Sequence, residues 1–376
     1  MKYRTYQNSD LSISLLGLGC MRLPKIDPNK PDIDEAAAQE MVDYAYEHGI
    51  NYFDTAHMYH DGASEEFMGR ALKKFDRKSY FLATKMPVWM AESKEDIAKI
   101  FDLQLKRLQT DYFDFYLVHS LNVGHYQQMK EFGVYEFLKQ KKEEGVIRHL
   151  GFSFHDKPEL LEQICEEYEW DFAQIQLNYL DWEMQNAKRQ YEILQAHHLP
   201  CIVMEPVRGG TLANPCEKSN QIFKAANPER SVASWALRYA ATLPNVMTVL
   251  SGMSNMEQLQ DNLSTMDPFV PLEQKDYEVI EQAVAAYKDF YTIPCTGCRY
   301  CMECPAGVEI PKMFALYNQY APQHDTDGYK KAYLQTPESE RVNHCVACGK
   351  CAKHCPQLID IPERMKYLAN YIKEHF

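Results

Sequence analysis

The stretch Y-F-D-F-Y-L-V-H, residues 112–119, shows how the chain is built. Its aromatic and aliphatic residues are typical of a buried strand, and it ends on an ionisable residue, His119. Segments with helical periodicity lie before it, at 94–108, and after it, at 136–144. A buried apolar strand between helices is characteristic of parallel sheets, which are covered by helices on their faces. The stretch therefore predicts one strand of a repeated strand–helix unit.

Seven further stretches of this kind predict a sheet of eight strands. They lie at 13–19, 50–55, 79–85, 146–153, 171–177, 200–206 and 246–252. The other helix candidates include 34–48, 159–168, 187–197, 231–241 and 256–264. Eight such units favour an α/β fold of the TIM (β/α)8 barrel type. A doubly wound open sheet is the alternative, but its first strand is usually followed by G-x-G-x-x-G, and residues 17–22 read G-L-G-C-M-R.

The composition changes from about residue 290 onward, where Cys, Pro and Tyr become frequent. One more helix is predicted at 273–287, before this change. We therefore predict a barrel domain at 1–285 and a small, mostly α-helical domain at 286–376. Within the second domain, 310–320 and 361–373 are predicted helices, and the polar segments 325–328 and 336–340 are predicted breaks.

Charge and hydropathy exclude several classes of partner. The 376 residues carry a formal charge of −13, which disfavours nucleic acid or an anionic membrane surface as a partner. No apolar run approaches the roughly 18 residues that a membrane span needs. The N-terminus lacks the apolar core of a secretory signal. These features predict a cytoplasmic protein without nucleic-acid or membrane partners.

Eight of the twelve cysteines lie in two short runs near the C-terminus, each ending in Cys-Pro. The second run has the spacing C-x2-C-x2-C-x3-C-P, which is known for bacterial 4Fe-4S binding, and the first is one residue shorter. Zinc also accepts thiolates, but two such runs favour two 4Fe-4S clusters. Since the fourth cysteine of a run often serves the other cluster, the assignment of Cys304 and Cys355 stays open. The predicted ligands are Cys295, Cys298, Cys301, Cys304, Cys345, Cys348, Cys351 and Cys355.

Four ionisable residues follow consecutive predicted strands of the barrel. Asp54 and Lys85 lie at the ends of two strands and His119 at the end of the next, while Tyr59 lies in the loop after Asp54. In a TIM barrel the reacting groups come from these strand ends. A tyrosine hydroxyl has a pKa near 10, and a neighbouring ammonium lowers it, so the group predicts proton delivery to a carbonyl oxygen. The alternative is a salt bridge with two hydrogen-bonded core residues.

These residues stand in motifs that resemble the aldo-keto reductase family. The motifs are Y-F-D-T-A-x-x-Y (52–59), T-K (84–85) and D-F-Y-L-V-H (114–119), and the resemblance covers about 1–285. It implies hydride transfer between a nicotinamide cofactor and an aldehyde or ketone, with Tyr59 as general acid/base. Lys85 and Asp54 would tune Tyr59, and His119 would hold the carbonyl. The C-terminal region similarly resembles a ferredoxin-like segment with two 4Fe-4S clusters.

The resemblance also implies positions for NADP or NAD. Ser153 and Gln174 would hold the carboxamide, and residues 251–262 would surround the adenosine end. Gly252 and Gln258 stand where many relatives have basic residues for the 2′-phosphate, so the choice between NADP and NAD stays open. The remaining candidates are Ser254, Asn262 and Arg208. Arg208 would be close to the pyrophosphate or, alternatively, would be a solvated loop residue.

The sequence leaves two functional hypotheses. One is a reductase of a small-molecule carbonyl substrate whose clusters exchange electrons with a redox partner protein or only stabilise the domain. The other is an electron-transfer or redox-sensing protein whose barrel is not a working reductase. Exchange between a nicotinamide and a cluster needs a carrier such as a flavin. No flavin motif is evident, although a barrel mouth could hold FMN. Trp89 and Tyr126 are candidates for lining the substrate cleft or for packing on the barrel rim.

Overall fold

A computed structural model describes residues 1–6, 10–27, 30–288, 293–302 and 304–376. The chain divides into two compact units. The first contains Met1–Val207 and Phe223–Ile280, and the second contains Arg208–Ile222 and Glu281–Phe376. The second unit thus includes a short segment from the middle of the chain, while the predicted domain boundary at 285 stays a prediction.

The strands of the first unit confirm the predicted barrel. β3 to β10 are parallel and close in the order β10-β3-β4-β5-β6-β7-β8-β9. Each of these eight strands lies within or overlaps one of the eight predicted stretches. The strands are β1 Tyr3–Thr5, β2 Ser12–Ser14, β3 Leu16–Gly19, β4 Tyr52–Asp54, β5 Phe81–Met86, β6 Phe113–Leu121, β7 Ile147–Phe154, β8 Phe172–Gln176, β9 Cys201–Met204 and β10 Val246–Ser251.

The first predicted stretch divides between two strands. Residues 12–14 pair with Tyr3–Thr5 in the antiparallel hairpin β1-β2, and the barrel begins only at Leu16. Just after β1, Tyr6 packs edge-on against Phe115 with ring centroids 5.7 Å apart, and its hydroxyl donates to the Asp171 carbonyl at 2.8 Å. Since Phe115 and Asp171 lie near the starts of their strands, the hairpin covers the N-terminal end of the barrel.

The helices follow the predicted order with small shifts at their ends. Five helices absent from the prediction are α2, α4, α7, α9 and α14. The bounds are α1 Glu35–Glu47, α2 Ala63–Ala71, α3 Lys94–Leu108, α4 Val123–Glu131, α5 Val134–Glu143, α6 Pro158–Glu167, α7 Asp181–Met184, α8 Ala187–Ala196, α9 Glu217–Ala226, α10 Val232–Thr242, α11 Met256–Met266, α12 Gln274–Lys288, α13 Ile310–Tyr320, α14 Thr326–Leu334 and α15 Ile361–His375. Among the described residues, no helix has the length and apolar character needed to cross a bilayer.

One predicted break is wrong. Residues 325–328 were expected to interrupt the second domain, but Asp325 is the N-cap of α14, and its side chain accepts a hydrogen bond from the Gly328 amide at 2.9 Å. Asp is favoured at both turns and helix starts for the same reason, because its carboxylate satisfies nearby backbone N–H groups. The helix is then held by Tyr329 and Tyr333, which are buried in the core of the second unit.

The barrel strands are buried along nearly their whole length, which places charged side chains inside the protein. All nine residues of β6 are buried, including His119. Lys85 in β5 is completely buried and Asp54 at the end of β4 is 3% exposed. Burying an unpaired charge costs several kcal/mol, so these side chains need partners within the barrel.

Candidate functional site

The ends of β4, β5 and β6 bring the four predicted catalytic residues together. Lys85 Nζ donates to Asp54 Oδ1 at 2.6 Å and to the Thr55 carbonyl at 2.7 Å. The same nitrogen lies 3.4 Å from the Tyr59 hydroxyl oxygen. The rings of Tyr59 and His119 are perpendicular, with centroids 6.1 Å apart. One ammonium therefore joins the carboxylate, a backbone carbonyl and the phenol.

Burial determines the charge states of this group. Desolvation raises the pKa of Asp54 above its usual value, and the Lys85 ammonium opposes that shift. Desolvation lowers the pKa of His119 well below 6.5, and the positive charge of Lys85 lowers it further. The imidazole is therefore neutral near pH 7, and it can donate one hydrogen bond without carrying charge.

The loop that carries Tyr59 has an unusual backbone. Tyr59 begins a tight turn, Tyr59–Gly62, in which His60 and Asp61 both have φ of 53°. Residues other than glycine rarely adopt this left-handed region, and each such residue costs of order 1–3 kcal/mol. Gly62, with φ of 93°, then starts α2. The strained turn sets where the phenol lies relative to Lys85.

A buried polar network lies behind this loop, and sequence reasoning missed it. Glu65, in the first turn of α2, has no exposed surface, and burial raises its pKa. Its Oε1 accepts hydrogen bonds from Thr84 Oγ1 and Gln104 Nε2, both at 2.7 Å. Gln104 also donates to the Lys85 carbonyl at 3.0 Å, so this carboxylate is linked through one side chain to the backbone of Lys85.

The same carboxylate is also linked to the Tyr59 loop. Arg107 Nη1 lies 3.4 Å from Glu65 Oε2 and 3.4 Å from the His57 carbonyl oxygen. The Arg107 guanidinium packs over Gly62, where a Cβ would come within 3.0 Å of it. Any larger residue at position 62 would have to displace Arg107. Gln104 and Arg107 both belong to α3. The network thus holds the Tyr59 loop and the strand of Lys85 to this helix.

A strained residue also follows His119. Ser120 has φ of 55°, its N–H donates to Ser153 Oγ at 2.7 Å, and its carbonyl oxygen lies 2.6 Å from His125 Nδ1. The His125 ring stacks on Trp89, with centroids 4.6 Å apart and planes at 21°. Trp89 in turn lies 5.1 Å from the His119 ring. An aromatic wall therefore borders His119.

Of the two residues considered for the cleft, only Trp89 lies beside the catalytic group. The Tyr126 hydroxyl donates to Glu167 Oε2 at 2.7 Å, and Lys130 Nζ lies over its ring at 4.4 Å. Glu167 is the last residue of α6, on the outer layer of the barrel. Tyr126 therefore packs between helices of the outer layer.

The two residues predicted for the carboxamide lie on neighbouring strands. Ser153 in β7 and Gln174 in β8 face each other in register, and both are nearly completely buried. Gln174 Nε2 lies 3.4 Å from Met204 Sδ. Its Oε1 is buried without a hydrogen-bond partner among the described residues. A buried acceptor without a partner is costly, so this oxygen fits a ligand that donates a hydrogen bond.

The predicted adenosine segment forms the end of β10, a short turn and the start of α11. Asn255 is the N-cap and accepts from the Gln258 amide at 2.9 Å, while the Gln258 side chain accepts from the Ser254 N–H at 2.8 Å. Asn262 Nδ2 donates to Ser251 Oγ at 2.8 Å. Three of the four predicted cofactor residues in this segment, Ser254, Gln258 and Asn262, thus support the turn or the strand end.

Gly252 lies against a cation that the sequence analysis did not single out. A Cβ at Gly252 would come within 3.2 Å of three side-chain carbons of Arg22, which follows β3. Arg22 Nη2 lies 3.9 Å from Glu205, and its side chain is 28% exposed. The motif G-L-G-C-M-R contained this residue, and barrel closure makes β3 and β10 neighbours, but the motif does not show that the Arg22 side chain lies against Gly252.

Arg208 belongs to the second unit and is 1% exposed. The interpretation of this residue as a solvated loop arginine is therefore wrong. It has φ of 51° and begins the turn Arg208–Ala213. A role beside the pyrophosphate stays a prediction.

The cysteines of the two runs fall into two groups. The fourth cysteine of each run lies with the first three cysteines of the other run. Cys304 from the first run lines one apolar cavity together with Cys345, Cys348 and Cys351. Burial raises the pKa of Cys351, and the nearby thiols of Cys304 and Cys345 raise it further.

Cys355 of the second run likewise lies near the first three cysteines of the first run. Burial also raises the pKa of Cys301, with further contributions from Cys298, Cys295 and Cys355. Among the described residues, no group of three or more His, Cys, Asp or Glu side chains is arranged to hold a single metal ion. Two sets of four soft sulfur donors nevertheless fit the chemistry of two 4Fe-4S clusters.

Comparison with known proteins identifies both units. The aldo/keto reductase family model matches residues 15–285, and a 4Fe-4S dicluster domain model matches residues 294–359. YqkF of Bacillus subtilis (strain 168), an uncharacterized oxidoreductase, is 29% identical over 293 residues, covering 70% of this chain and 90% of that protein. The NADH-specific methylglyoxal reductase of Escherichia coli (strain K12) is 26% identical over 310 residues, covering 71% of this chain and 94% of that protein.

A solved structure agrees with these relatives. The aldo-keto reductase AKR11C1 from Bacillus halodurans, in its holo form, superimposes with a TM-score of 0.62 at 29% identity, covering 75% of this chain and 96% of that chain. The family model extends over more than half of the sequence, and the barrel has the same fold as this reductase. The chain therefore belongs to the aldo/keto reductase family of oxidoreductases and carries a C-terminal 4Fe-4S dicluster domain.

Proposed function

We propose that the barrel reduces an aldehyde or ketone, or oxidises the corresponding alcohol, with NADH or NADPH, and that Tyr59 is its general acid/base. The observation that carries this proposal is the position of Lys85 Nζ, 2.6 Å from Asp54 and 3.4 Å from the Tyr59 hydroxyl. The family and the relatives support the reaction class. The substrate is a small carbonyl compound.

The proton has a direct route in this arrangement. A bound nicotinamide supplies the hydride that the carbonyl carbon accepts. The carbonyl oxygen then gains negative charge, and Tyr59 donates its hydroxyl proton to it. The Lys85 ammonium stabilises the phenolate that remains, because it lies close to the phenol oxygen in a buried site. Asp54 holds the Lys85 ammonium in place.

The neutral imidazole of His119 has a separate role. Its pKa lies well below 6.5, so it does not compete with Tyr59 as the acid. Near pH 7 it can donate one hydrogen bond to the carbonyl oxygen and orient the substrate toward Tyr59. Trp89, stacked on His125, supplies an apolar wall for the substrate beside this imidazole.

The chain's own residues also support a nicotinamide site. The buried Oε1 of Gln174 can accept from a carboxamide N–H. At the other end, the guanidinium of Arg22, whose side chain lies against Gly252, can hold phosphate oxygens. No basic residue stands at 252 or 258, and a relative is NADH-specific, so both cofactors belong in the test.

In the second unit, Cys304, Cys345, Cys348 and Cys351 would hold one 4Fe-4S cluster, here called the outer cluster. Cys295, Cys298, Cys301 and Cys355 would hold the other, the inner cluster. Such clusters store single electrons. A flavin would be needed for exchange with a nicotinamide, and its presence is a prediction for chemical analysis.

The test uses protein purified without oxygen and analysed for iron, sulfide and flavin. Reduction of methylglyoxal and other aldehydes is measured with NADH and with NADPH. We expect Tyr59→Phe to lower kcat by a factor of about 10³ or more while nicotinamide binding persists. The matched control is Tyr126→Phe, which removes a hydroxyl from the outer layer and should keep normal turnover. Near-normal turnover in Tyr59→Phe would exclude the proposed acid.

The competing hypothesis, a sensor or electron carrier with an inactive barrel, predicts a different result. In that case no aldehyde would be reduced with either cofactor, whatever residue stands at position 59. Bleaching of the cluster absorption by NADH or NADPH alone would show that electrons pass from the nicotinamide to the clusters.

A further inference from the structure

The two cysteine runs form equivalent loops, but only one of them is covered. The residue after the first cysteine is Thr296 in one loop and Val346 in the other. Thr296 is 4% exposed, whereas Val346 is 69% exposed. Cys348 is also classed as exposed, and the other seven cysteines of the two runs are partly buried. The outer cluster would therefore be bordered by solvent at this loop.

The cover on the first loop comes from the segment 208–222 of the same unit. Gly209 lies so close to Thr296 that a Cβ would be 2.3 Å from the Thr296 carbonyl oxygen. Gly209 has φ of 63°, so both its conformation and this contact require glycine. At the equivalent position of the second loop, Val346 is 69% exposed. The first loop is thus covered at Thr296, whereas the second is open at Val346.

The accessible loop is positively charged in an acidic protein. Residues 341–359 contain Arg341, Lys350 and Lys353 but no Asp or Glu, whereas the whole chain carries −13. Lys350 and Lys353 are exposed, and neither forms an ion pair with a described residue. The Arg341 guanidinium is held by the carbonyl oxygens of Thr336 and Leu334. The two lysines therefore present uncompensated charge to solvent.

The loop also has an apolar centre. Val346 and Ala347 project between the cysteines, and Ala347 has φ of 51°. Val346 with Lys350 and Lys353 around it has the arrangement of an apolar centre and a polar rim that interfaces show. The area is small, which suits a transient complex rather than a permanent one.

We propose that the surface formed by Val346, Ala347, Cys348, Lys350 and Lys353, here called the outer-cluster surface, docks an acidic one-electron carrier protein. The proposal rests on the assignment of Cys304, Cys345, Cys348 and Cys351 to a 4Fe-4S cluster. Charge complementarity selects the partner, because two lysines attract acidic side chains while the remainder of the protein repels them. The docked carrier would be oriented toward Cys348, where a single electron can pass between the two proteins' centres.

Binding is measured with the holoprotein, both clusters intact, and an acidic plant-type [2Fe–2S] ferredoxin as the probe. The dissociation constant is obtained by biolayer interferometry at about 0.02 M and about 0.3 M salt. We expect K350E/K353E to weaken binding at low salt by about tenfold or more and to reduce its salt dependence. Val346→Ser should weaken binding at both salt concentrations, because the apolar contact is not screened.

The matched control is K331E/K366E, which makes the same change in net charge on α14 and α15 of the same unit, where both lysines are exposed. Its binding should stay within about twofold of wild type. Equal weakening in both double variants would overturn the proposal, since only net charge would then matter. Preferential binding of a basic cytochrome c, self-association at low salt, or no ferredoxin binding at low salt would overturn it as well.

Failure of this proposal can be distinguished from failure of the proposed function. Iron and sulfide content reports whether the clusters are present, and aldehyde reduction by NADH or NADPH reports on the barrel. K350E/K353E should retain full iron content and normal aldehyde reduction. Loss of iron in Val346→Ser would leave the lysine pair as the deciding comparison.

Discussion

The barrel and the second unit hold their reactive side chains in opposite ways. Asp54, Lys85 and His119 are at most 3% exposed, and Lys85 and Asp54 are paired at 2.6 Å within the protein. In the second unit, by contrast, Cys304, Cys345, Cys348 and Cys351 are partly or fully exposed and line one cavity. The barrel's site is therefore complete as a set of protein groups, whereas the cysteines need a ligand to complete theirs.

The hydrophobic core of the barrel is also more extensive than that of the second unit. The barrel strands are buried almost throughout and are joined by a closed set of parallel ladders. Among the described residues of the second unit, one core cluster contains thirteen buried residues, most of them aliphatic or tyrosine, with cysteines of both runs packed against it. A core of that size contributes little stability on its own, so cluster binding is expected to contribute to its folding.

The largest effect is expected at the buried ion pair. Lys85→Met should lower kcat for aldehyde reduction by about 10²–10⁴-fold, because nothing then stabilises the phenolate of Tyr59. It also leaves Asp54 buried without its cation, which costs about 3–5 kcal/mol of stability. The double variant Asp54→Asn/Lys85→Met removes both charges and should regain stability but not turnover. Turnover above one tenth of wild type in either variant would contradict the role of Lys85.

Cysteine variants test whether the fourth cysteine of each run binds the cluster of the other run. Cys304→Ser and Cys348→Ser should each lower iron content from about eight to about four atoms per chain. If both residues serve the outer cluster, the double variant Cys304→Ser/Cys348→Ser should also keep about four. Cys304→Ser/Cys301→Ser should lose nearly all iron. The reverse pattern would mean that each run holds its own cluster. Aldehyde reduction by the barrel should persist in all four variants.

A smaller effect is expected in the network behind the Tyr59 loop. Glu65→Gln keeps the shape of the side chain but weakens the bonds from Thr84, Gln104 and Arg107. We expect kcat to fall by about tenfold with KM nearly unchanged, since the network touches the loop and not the cleft. The matched control, Glu66→Gln, changes an exposed carboxylate beside it and should have no effect. A fall in KM alone would contradict a positioning role.

The smallest effect concerns acid stability of the barrel. His149 lies between Tyr6 and Phe115, and burial lowers its pKa to about 4. The unfolded chain, with a pKa near 6.5, binds more protons than the folded chain between these values. This contribution to stability is therefore complete above pH 6.5 and is lost as the pH falls toward 4.

His149→Phe should accordingly reduce the drop in unfolding free energy between pH 7 and pH 5 by about 1 kcal/mol. The free energy of unfolding is obtained from urea unfolding at each of the two pH values. His48→Asn, at an exposed position on the same barrel, is the control and should leave the drop unchanged. An unchanged drop in His149→Phe would show that His149 is protonated in the folded barrel.

Local sequence determined the barrel and the identity of its candidate catalytic group. Parallel strands that are buried on both faces produce continuous apolar runs, so all eight were recognisable, and Asp54, Lys85 and His119 were conspicuous because they end such runs. The cysteine spacing is local as well. Helix α14 was missed because Asp325 is equally suited to a turn and to an N-cap.

Only the tertiary structure decided what depends on residues far apart in sequence. It linked Glu65 to Arg107 and Gln104, placed Arg22 against Gly252, buried Arg208 and brought Cys304 to the second run. It also left Val346 exposed while covering Thr296. Periodicity and spacing describe neighbours along the chain, whereas these contacts arise when barrel closure and helix packing bring distant segments together.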